Sequence, residues 1–499
     1  MPTETEIKLL IALERAPAID AALRRLPLSH RATLDARYFD TRDGRLARHG
    51  IALRLRKSGR SWEQTLKAAG RSAVEREEHN VARPGRWASE DVPRIDPFLH
   101  RDTQSGALLQ AALDDGDAAG AELLPIYRVS VVRRTAPIEF AGANIEIAFD
   151  LGWITAGERS ERVCEIEYEL KGGDAAALVS LSQEAVRAHG ALLSVVSKAE
   201  RGDRLAQGAS GASAHKAASP RLDRAMSGGA LLHAALRSCL AQVLANASEV
   251  AAGRWDEETV HQWRVGLRRL RTATRELGPL VPGFDAAAWE PRLTAAFRAL
   301  GAFRDRDTVA RSFGPRLAEA GSPDPELISQ ESAAADDPGA IVGDTSLQCA
   351  LLDALGAVLA TPSVAAAGSA VDPAAHIAAR LDKLRRRLKR DAQAFAKMEV
   401  AEQHAVRKRV KRLRYLTELV RSLYPAGKVA RWLKALEPAQ EALGQRIDLL
   451  LAIELARDRA QAQGGPAWFN VGWLVAQLPA SSRSCIKALA CAAKARPCW

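Results

Sequence analysis

Charged side chains recur at every second position in several short runs of the first two hundred residues. Glu4, Glu6 and Lys8 alternate with Thr5, Ile7 and Leu9, and Arg54 and Arg56 alternate with Leu53 and Leu55. Lys67 follows Leu66, Arg76 and Glu78 share a parity, and Glu146 and Asp150 flank Ala148. Glu165, Glu167 and Glu169 alternate with Ile166, Tyr168 and Leu170. Strand side chains have period two, so each run puts its ionic groups on one face. A single face of this kind ordinarily meets solvent. Here, however, the acidic runs (Glu4, Glu146, Glu165) and the basic runs (Arg54, Lys67, Arg133) are segregated along the chain. The opposite faces are apolar and must pack against helices such as 174–189. A closed or nearly closed sheet with an ionic lumen satisfies both facts. Clustered carboxylates in one cavity repel one another and are tolerated when a hard divalent cation neutralises them. Arginine and lysine facing the same cavity supply donors for phosphate oxygens. A metal and a basic wall are what phosphoryl transfer requires.

A second pattern stands further along. His261, Arg264, Arg268 and Arg271 have offsets of 0, 3, 7 and 10, which is one face of a helix. The same offsets recur 143 residues later at His404, Arg407, Lys411 and Arg414. Leu300–Asp305 (LGAFRD) and Leu443–Asp448 (LGQRID) repeat at that same separation, which predicts two helical halves related by an internal two-fold repeat. A basic helical face is usually solvated. Like charges at these spacings disfavour an isolated helix, so the repeated stripe suggests a compensating polyanion. Residues 380–414 add 14 Lys+Arg against 4 Asp+Glu. Each stripe histidine is open to three readings, a structural residue, a phosphate donor or, last, a metal ligand.

The elements that position these groups fall into two parts. The 499 residues carry a formal net charge of +11, but residues 1–203 net −2 and residues 204–499 net +13. The Ala- and Leu-dominated apolar content, with 5% aromatics, favours helices over a large β-sandwich. The predicted organisation is a β domain at 1–205, a flexible Gly/Ala/Ser linker at 206–229, a helical domain at 230–460 with a loop insert at 321–346, and a tail at 461–499. Six scattered cysteines, without C-x-x-C spacing, predict free thiols in a reducing cytoplasm. The opening residues lack a signal-peptide core, and the Ala-rich stretch 357–371 is a poor membrane span.

The first part resembles the CYTH family, the triphosphate tunnel metalloenzymes. The likeness rests on E-T-E-I-K at 4–8, Y-F-D-T at 38–41, L-R-L-R at 53–56, T-L-K at 65–67 and R-E-E at 76–78. It continues with Arg133, I-E-I-A-F-D at 145–150, C-E-I-E-Y-E-L at 164–170 and S-K-A-E-R-G at 197–202. The resemblance implies an α+β chain opening on an eight-stranded antiparallel β tunnel with flanking helices, binding a triphosphate with Mg²⁺ or Mn²⁺. By position, Glu4, Glu6, Asp150, Glu165, Glu167 and Glu169 form an acidic, metal-facing wall. Lys8, Arg54, Arg56, Lys67, Arg76, Arg133, Lys198 and Arg201 grip the phosphates; of the adjacent pair, Arg134 has the opposite parity and is the alternative inward residue. Glu4, Glu6, Lys8, Arg54, Arg56, Lys67 and Arg133 are the expected catalytic set. The implied chemistry is attack of water on the terminal phosphorus, helped by the metal's charge, while arginines hold the developing charge.

The second part resembles the CHAD domain, an all-α helical bundle often fused behind a CYTH domain, through VHQWRVGLRRLR at 260–271 and HAVRKRVKRLRY at 404–415. It implies that the two stripes bind long-chain polyphosphate. The expected function is therefore a metal-dependent inorganic triphosphatase that hydrolyses tripolyphosphate to diphosphate and phosphate. Same-fold alternatives are a nucleoside or thiamine triphosphatase or an adenylate cyclase; another is a non-catalytic polyphosphate scaffold. A membrane is not an expected partner, and nucleic acid is a disfavoured one. The tail 461–499, with W-F-N-V-G-W and three cysteines, has no assigned role.

Overall fold

The computed structural model describes residues 3–69, 75–85, 92–115, 122–209, 214–325, 327, 337–360 and 372–499; of these, 3, 4, 69, 75, 76 and 302–308 are described by backbone alone. The linker 206–229, the insert 321–346 and the stretch 357–371 fall partly outside these residues. The chain divides into two compact units, one of 1–215, 244–259 and 342–360, the other of 216–243, 260–341 and 361–499.

The first unit is built on an antiparallel sheet of β1 (Thr3–Leu10), β2 (His30–Asp40), β3 (Ile51–Ser58), β4 (Ser61–Ala69), β5 (Glu75–Arg83), β6 (Leu124–Phe140), β7 (Ala143–Ala156), β8 (Arg159–Gly172) and β9 (Leu192–Ser194). Among the described residues the count is nine, where the sequence predicts eight. Eight strands close a ring in the order β5-β4-β3-β2-β6-β7-β8-β1, because β1 returns to pair β5 through Thr3–Thr5. The three-residue β9 is added on the β5 side of β1, against Lys8–Leu10, where β5 has run out. Alternation could not reveal a strand this short.

Among the described residues of 1–215, the helices are α1 (Ala16–Arg24), α2 (Arg45–Arg48), α3 (Gln104–Asp114), α4 (Ala175–His189) and α5 (Lys198–Gln207). Outward-facing Leu46, Ile51, Leu53 and Leu66 pack with Leu109 and Ala112 of α3. Asp174 caps α4 by accepting from the Ala176 amide, and α4 buries Leu178, Val179 and Val186. One end of the ring interior is apolar, filled by Ala36, Tyr38, Tyr127, Val129, Val131, Ile154, Val163 and Ala199 of α5. A Cβ on Gly202 would sit 2.2 Å from the Tyr127 ring, so glycine lets α5 lie this close. Ser197 and Glu200 form a capping box that fixes where α5 begins.

The remaining helices are α6 (Gly228–Ala251), α7 (Glu257–Leu277), α8 (Glu290–Glu319), α9 (Pro338–Val342), α10 (Thr345–Leu359), α11 (Pro373–Ala394), α12 (Val400–Leu419), α13 (Ala426–Gln463), α14 (Trp468–Val475) and α15 (Leu478–Lys494). The end of α6 and all of α10 belong to the first unit. There Gln348 accepts from the Leu193 amide at 2.8 Å, Ser248 accepts from the Val195 amide at 3.0 Å, and Gln183 donates to Asp353 at 2.6 Å. In the second unit the apolar stripe of α13 packs with α8 and α14 through Val309, Phe313, Leu449, Ile453, Val471 and Leu474. The sequence from 461 on thus forms two further helices. All six cysteines are free thiols. Among the described residues α6 is long and apolar enough to cross a membrane by length and composition, and 56% of its apolar window is buried inside the protein.

Candidate active site and basic cavity

Cross-strand register brings the alternating charges to one interior. Glu6 stands opposite Glu169 and Lys8 opposite Glu167; Glu146, Ala148 and Asp150 stand opposite Glu169, Glu167 and Glu165. Arg133 pairs with Asp150, Tyr38 with Arg54, Ala52 with Lys67, and Lys67 with Glu78. All of these positions except Asp150 and Glu165 line a cavity of about 630 Å³. Its wall includes Glu6, Glu146, Glu167 and Glu169 on the acidic strands and Lys8, Arg54, Arg56, Lys67, Arg133 and Lys198 as cations.

Most of the expected site residues meet there; three stand behind the cavity, and two have side chains outside the described residues. The side chains of Glu4 and Arg76 lie outside the described residues, although their backbones pair with each other. Asp150 and Glu165 are fully buried and do not line the cavity. They stand behind it, where Asp150 takes two hydrogen bonds from Arg133 at 2.7 and 2.6 Å and an ion pair from Lys198 at 2.7 Å. Arg201 also sits behind, donating to Glu161 at 2.6 Å and Glu165 at 2.9 Å. The cavity adds Tyr38, Glu78 and Asn80. Glu78 ion-pairs with Lys67 and lies 3.8 Å from Arg54. Its signal in the sequence was its parity with Arg76; Tyr38 has no charge to mark it.

Burial and neighbours set the charges. Burial pushes the Glu6 carboxyl above its ordinary range, and the Glu167 carboxylate adds to this. Burial opposes ionisation of Glu167 and Asp150 too, but Lys198 and Arg133 override it and hold both carboxyls down. Burial lowers Lys8, whose ammonium donates to the Val196 carbonyl. Lys198 and Arg133 are raised, because their carboxylates outweigh their burial. Asp150, Glu165 and Glu167 bring oxygens within 4.8 Å of one another, as metal ligands would be, but the Lys198 ammonium pairs with all three. The carboxylates on the open wall are Glu6, Glu146, Glu167 and Glu169; Lys171 pairs with Glu169 at 2.5 Å and lies 3.9 Å from Glu146, while Glu6 carries a charge destabilised by burial and by Glu167, which a cation would relieve.

In the second unit both stripes face one pair of adjoining cavities, of about 430 and 280 Å³. Arg264, Arg268, Arg407 and Lys411 line both cavities; Arg271 and His404 line the larger, His261 and Arg414 the smaller. The Phe297 ring lies under three guanidiniums, with Arg268, Arg264 and Arg271 at 4.9, 5.4 and 5.6 Å from its centroid. Arg271 meets Glu290 at 3.1 Å and Arg414 meets Glu418 at 2.7 Å. Arg275, Arg298, Lys408 and Arg412 enlarge the basic wall. Phe297, from a different helix, could not be read from the stripes.

A closed antiparallel ring with a half-acidic, half-basic interior, followed by a helical unit with a basic cavity, is the architecture of a β tunnel joined to a helical bundle. Residues 2–202 match the family model of the CYTH domain and residues 234–457 that of the CHAD domain, so the chain carries a CYTH domain followed by a CHAD domain. Over 207 residues it is 28% identical to an inorganic triphosphatase of Haemophilus influenzae, an alignment covering 40% of this chain and 54% of that protein. The chain thus spans about half the length of this curated relative. Among solved structures, the CHAD domain from Ricinus communis is 29% identical at a TM-score of 0.49, covering 58% of this chain and 99% of that one. A Hippeastrum protein with a dominant triphosphatase activity is 18% identical at a TM-score of 0.28, covering 41% and 96%.

Proposed function

We propose that the chain is a metal-dependent inorganic triphosphatase that cleaves tripolyphosphate to diphosphate and phosphate in the tunnel. The carrying observation is the wall of one cavity, with carboxylates mainly on β1, β7 and β8 and cations mainly on β3, β4 and β6, joined by Lys8 on β1, Glu78 on β5, Lys171 on β8 and Lys198 on α5. Glu6, Glu146, Glu167 and Glu169 would hold Mg²⁺ or Mn²⁺, with Glu4 at the head of the same strand. The metal supplies charge to polarise a phosphoryl oxygen and to lower the pKa of the attacking water. Arg54, Arg56, Lys67 and Arg133 orient the triphosphate and stabilise charge on the departing diphosphate. Tyr38 accepts a hydrogen bond from Arg54 at 3.2 Å and holds that guanidinium against the cavity. Family membership and the Haemophilus influenzae relative support the reading.

Inorganic triphosphate is favoured over a nucleotide or thiamine triphosphate by the lining. Its one aromatic residue among those described is Tyr38, whose ring is already stacked on Tyr127 at 4.7 Å. For the helical unit, the two stripes around shared cavities support binding of long-chain polyphosphate, and the repeat at 143 residues supports an internal duplication. The free thiols are consistent with a cytoplasmic setting. The test is phosphate release from tripolyphosphate, ATP and thiamine triphosphate with Mg²⁺ or Mn²⁺. Tripolyphosphate is expected to be preferred and Glu6→Gln to abolish turnover; preference for another substrate, or an intact rate in Glu6→Gln, overturns the reading.

A further inference from the structure

Behind the cavity, five carboxylates and five cations form one unbroken chain. Arg204 and Arg254 both pair with Glu249, the latter at 3.3 Å. Arg254 reaches Glu161 Oε1 at 2.7 Å, and Arg201 reaches the same oxygen at 2.6 Å. Arg201 continues to Glu165 at 2.9 Å, and Glu165 pairs with Lys198. Lys198 then meets Asp150 and Glu167, each at 2.7 Å, and Arg133 closes on both. Glu249, Glu165 and Asp150 are fully buried, so an uncompensated charge in this chain has no water to relax it. Only Glu167, Lys198 and Arg133 line the cavity.

Glu249 and Arg254 lie in the segment matched to the CHAD domain, yet in the compact unit of the tunnel. Helix α5 carries Lys198, Arg201 and Arg204 at three-residue steps on a slowly turning face. It is held by tunnel carboxylates at Lys198 and by Glu249 at Arg204. We infer that Arg254 and Glu249 are positioning residues of the tunnel, setting how much of the Lys198 charge reaches a bound polyanion; this rests on the reading of the cavity as a triphosphate site. Arg254 shares Glu161 with Arg201. Without Arg254, Arg201 turns fully to Glu161, Glu165 is left to Lys198, and Lys198 is drawn back among its carboxylates. Loss of the Glu249 charge acts in the opposite sense: Arg254 commits to Glu161, Arg201 to Glu165, and Lys198 is released toward the cavity.

The test uses the full chain and tripolyphosphate with Mg²⁺. Arg254→Met should raise KM about tenfold with kcat within about twofold, while Arg254→Lys restores KM. Glu249→Gln should leave KM at or below wild type. In a Lys198→Met background, Arg254→Met should shift KM less than about twofold. An equal rise in both backgrounds, a KM in Arg254→Met within about twofold of wild type, or a raised KM in Glu249→Gln overturns the inference. Should Arg254→Met fail to fold, the sign of the Glu249→Gln effect decides. If wild type releases no phosphate, the hydrolytic reading fails by itself; the same cycle is then read as Kd for tripolyphosphate by calorimetry, with the same expected factors.

Discussion

Arg133 grips Asp150 across adjacent strands through two hydrogen bonds of 2.7 and 2.6 Å, with its guanidinium on the cavity wall. Arg134, one residue on, faces outward and pairs with Asp20 at 2.6 Å. The two should therefore separate by function. Arg133→Ala is expected to lower kcat/KM for tripolyphosphate by at least about a hundredfold, and Arg134→Ala to leave it within about threefold while costing on the order of 1–2 kcal/mol, since Asp20 is half exposed but the Arg134 side chain is itself buried. Steady-state kinetics on both variants decide; equal losses would remove Arg133 from the phosphate wall.

Lys198 occupies the centre of three carboxylates. Lys198→Met removes the cation that Asp150, Glu165 and Glu167 share, leaves them to Arg133 and Arg201 alone, and should destabilise the protein by on the order of 3 kcal/mol. The three freed oxygens lie within 4.8 Å of each other, so Mn²⁺ should raise the Tm of this variant more than that of wild type. Thermal melts with and without Mn²⁺ check this; an identical shift in both proteins contradicts it.

Gly202 gives α5 its closeness to Tyr127. Gly202→Ala puts a methyl group about 2.2 Å from a ring whose own stack on Tyr38 limits its retreat. The helix must shift, carrying Lys198 and Arg201 with it. Expected are a loss of about 1–3 kcal/mol by urea melting and a raised KM for tripolyphosphate. An unchanged KM in a destabilised variant would separate packing from function.

Asp203 supplies a pH signature. Burial, reinforced by the Asp40 carboxylate, pushes its carboxyl up to about 7 from an ordinary 3.8, despite a hydrogen bond with Tyr127. Between those values the folded state holds a proton that the unfolded state has lost, so stability falls as pH rises from about 4 to 7. Below that window the group contributes no difference, and above it the full cost stands. Asp203→Asn should match wild type near pH 4 and exceed it at pH 8, by on the order of 2–4 kcal/mol. Denaturation at both pH values tests the sign; a variant less stable at pH 8 refutes it.

For the basic cavity, Phe297→Ala removes the ring beneath three guanidiniums and should weaken long-chain polyphosphate binding by about 1 kcal/mol or more. Arg268→Ala should weaken it further and flatten the dependence of log K on log salt by about one. Titrations at two ionic strengths measure both effects. An Arg268→Ala slope equal to wild type would mean that Arg268 makes no phosphate contact.

Periodicity determined a good deal of this protein before any coordinates. Period two at Glu6/Lys8, Arg54/Arg56 and Glu167/Glu169 assigned these side chains to one face, because alternation alone dictates the side of a strand. Offsets of three and four did the same for the stripes at 261–271 and 404–414. Only tertiary structure chose Arg133 over Arg134, since which parity faces inward depends on register with β7. It alone set Asp150, Glu165 and Arg201 behind the wall, because depth along a closed ring is fixed by closure and shear and not by parity. It likewise brought Phe297 under the arginines and Glu249 and Arg254 to α5, contacts between segments far apart in the chain. Local pattern specifies the face a residue takes; what that face meets is decided where distant elements pack.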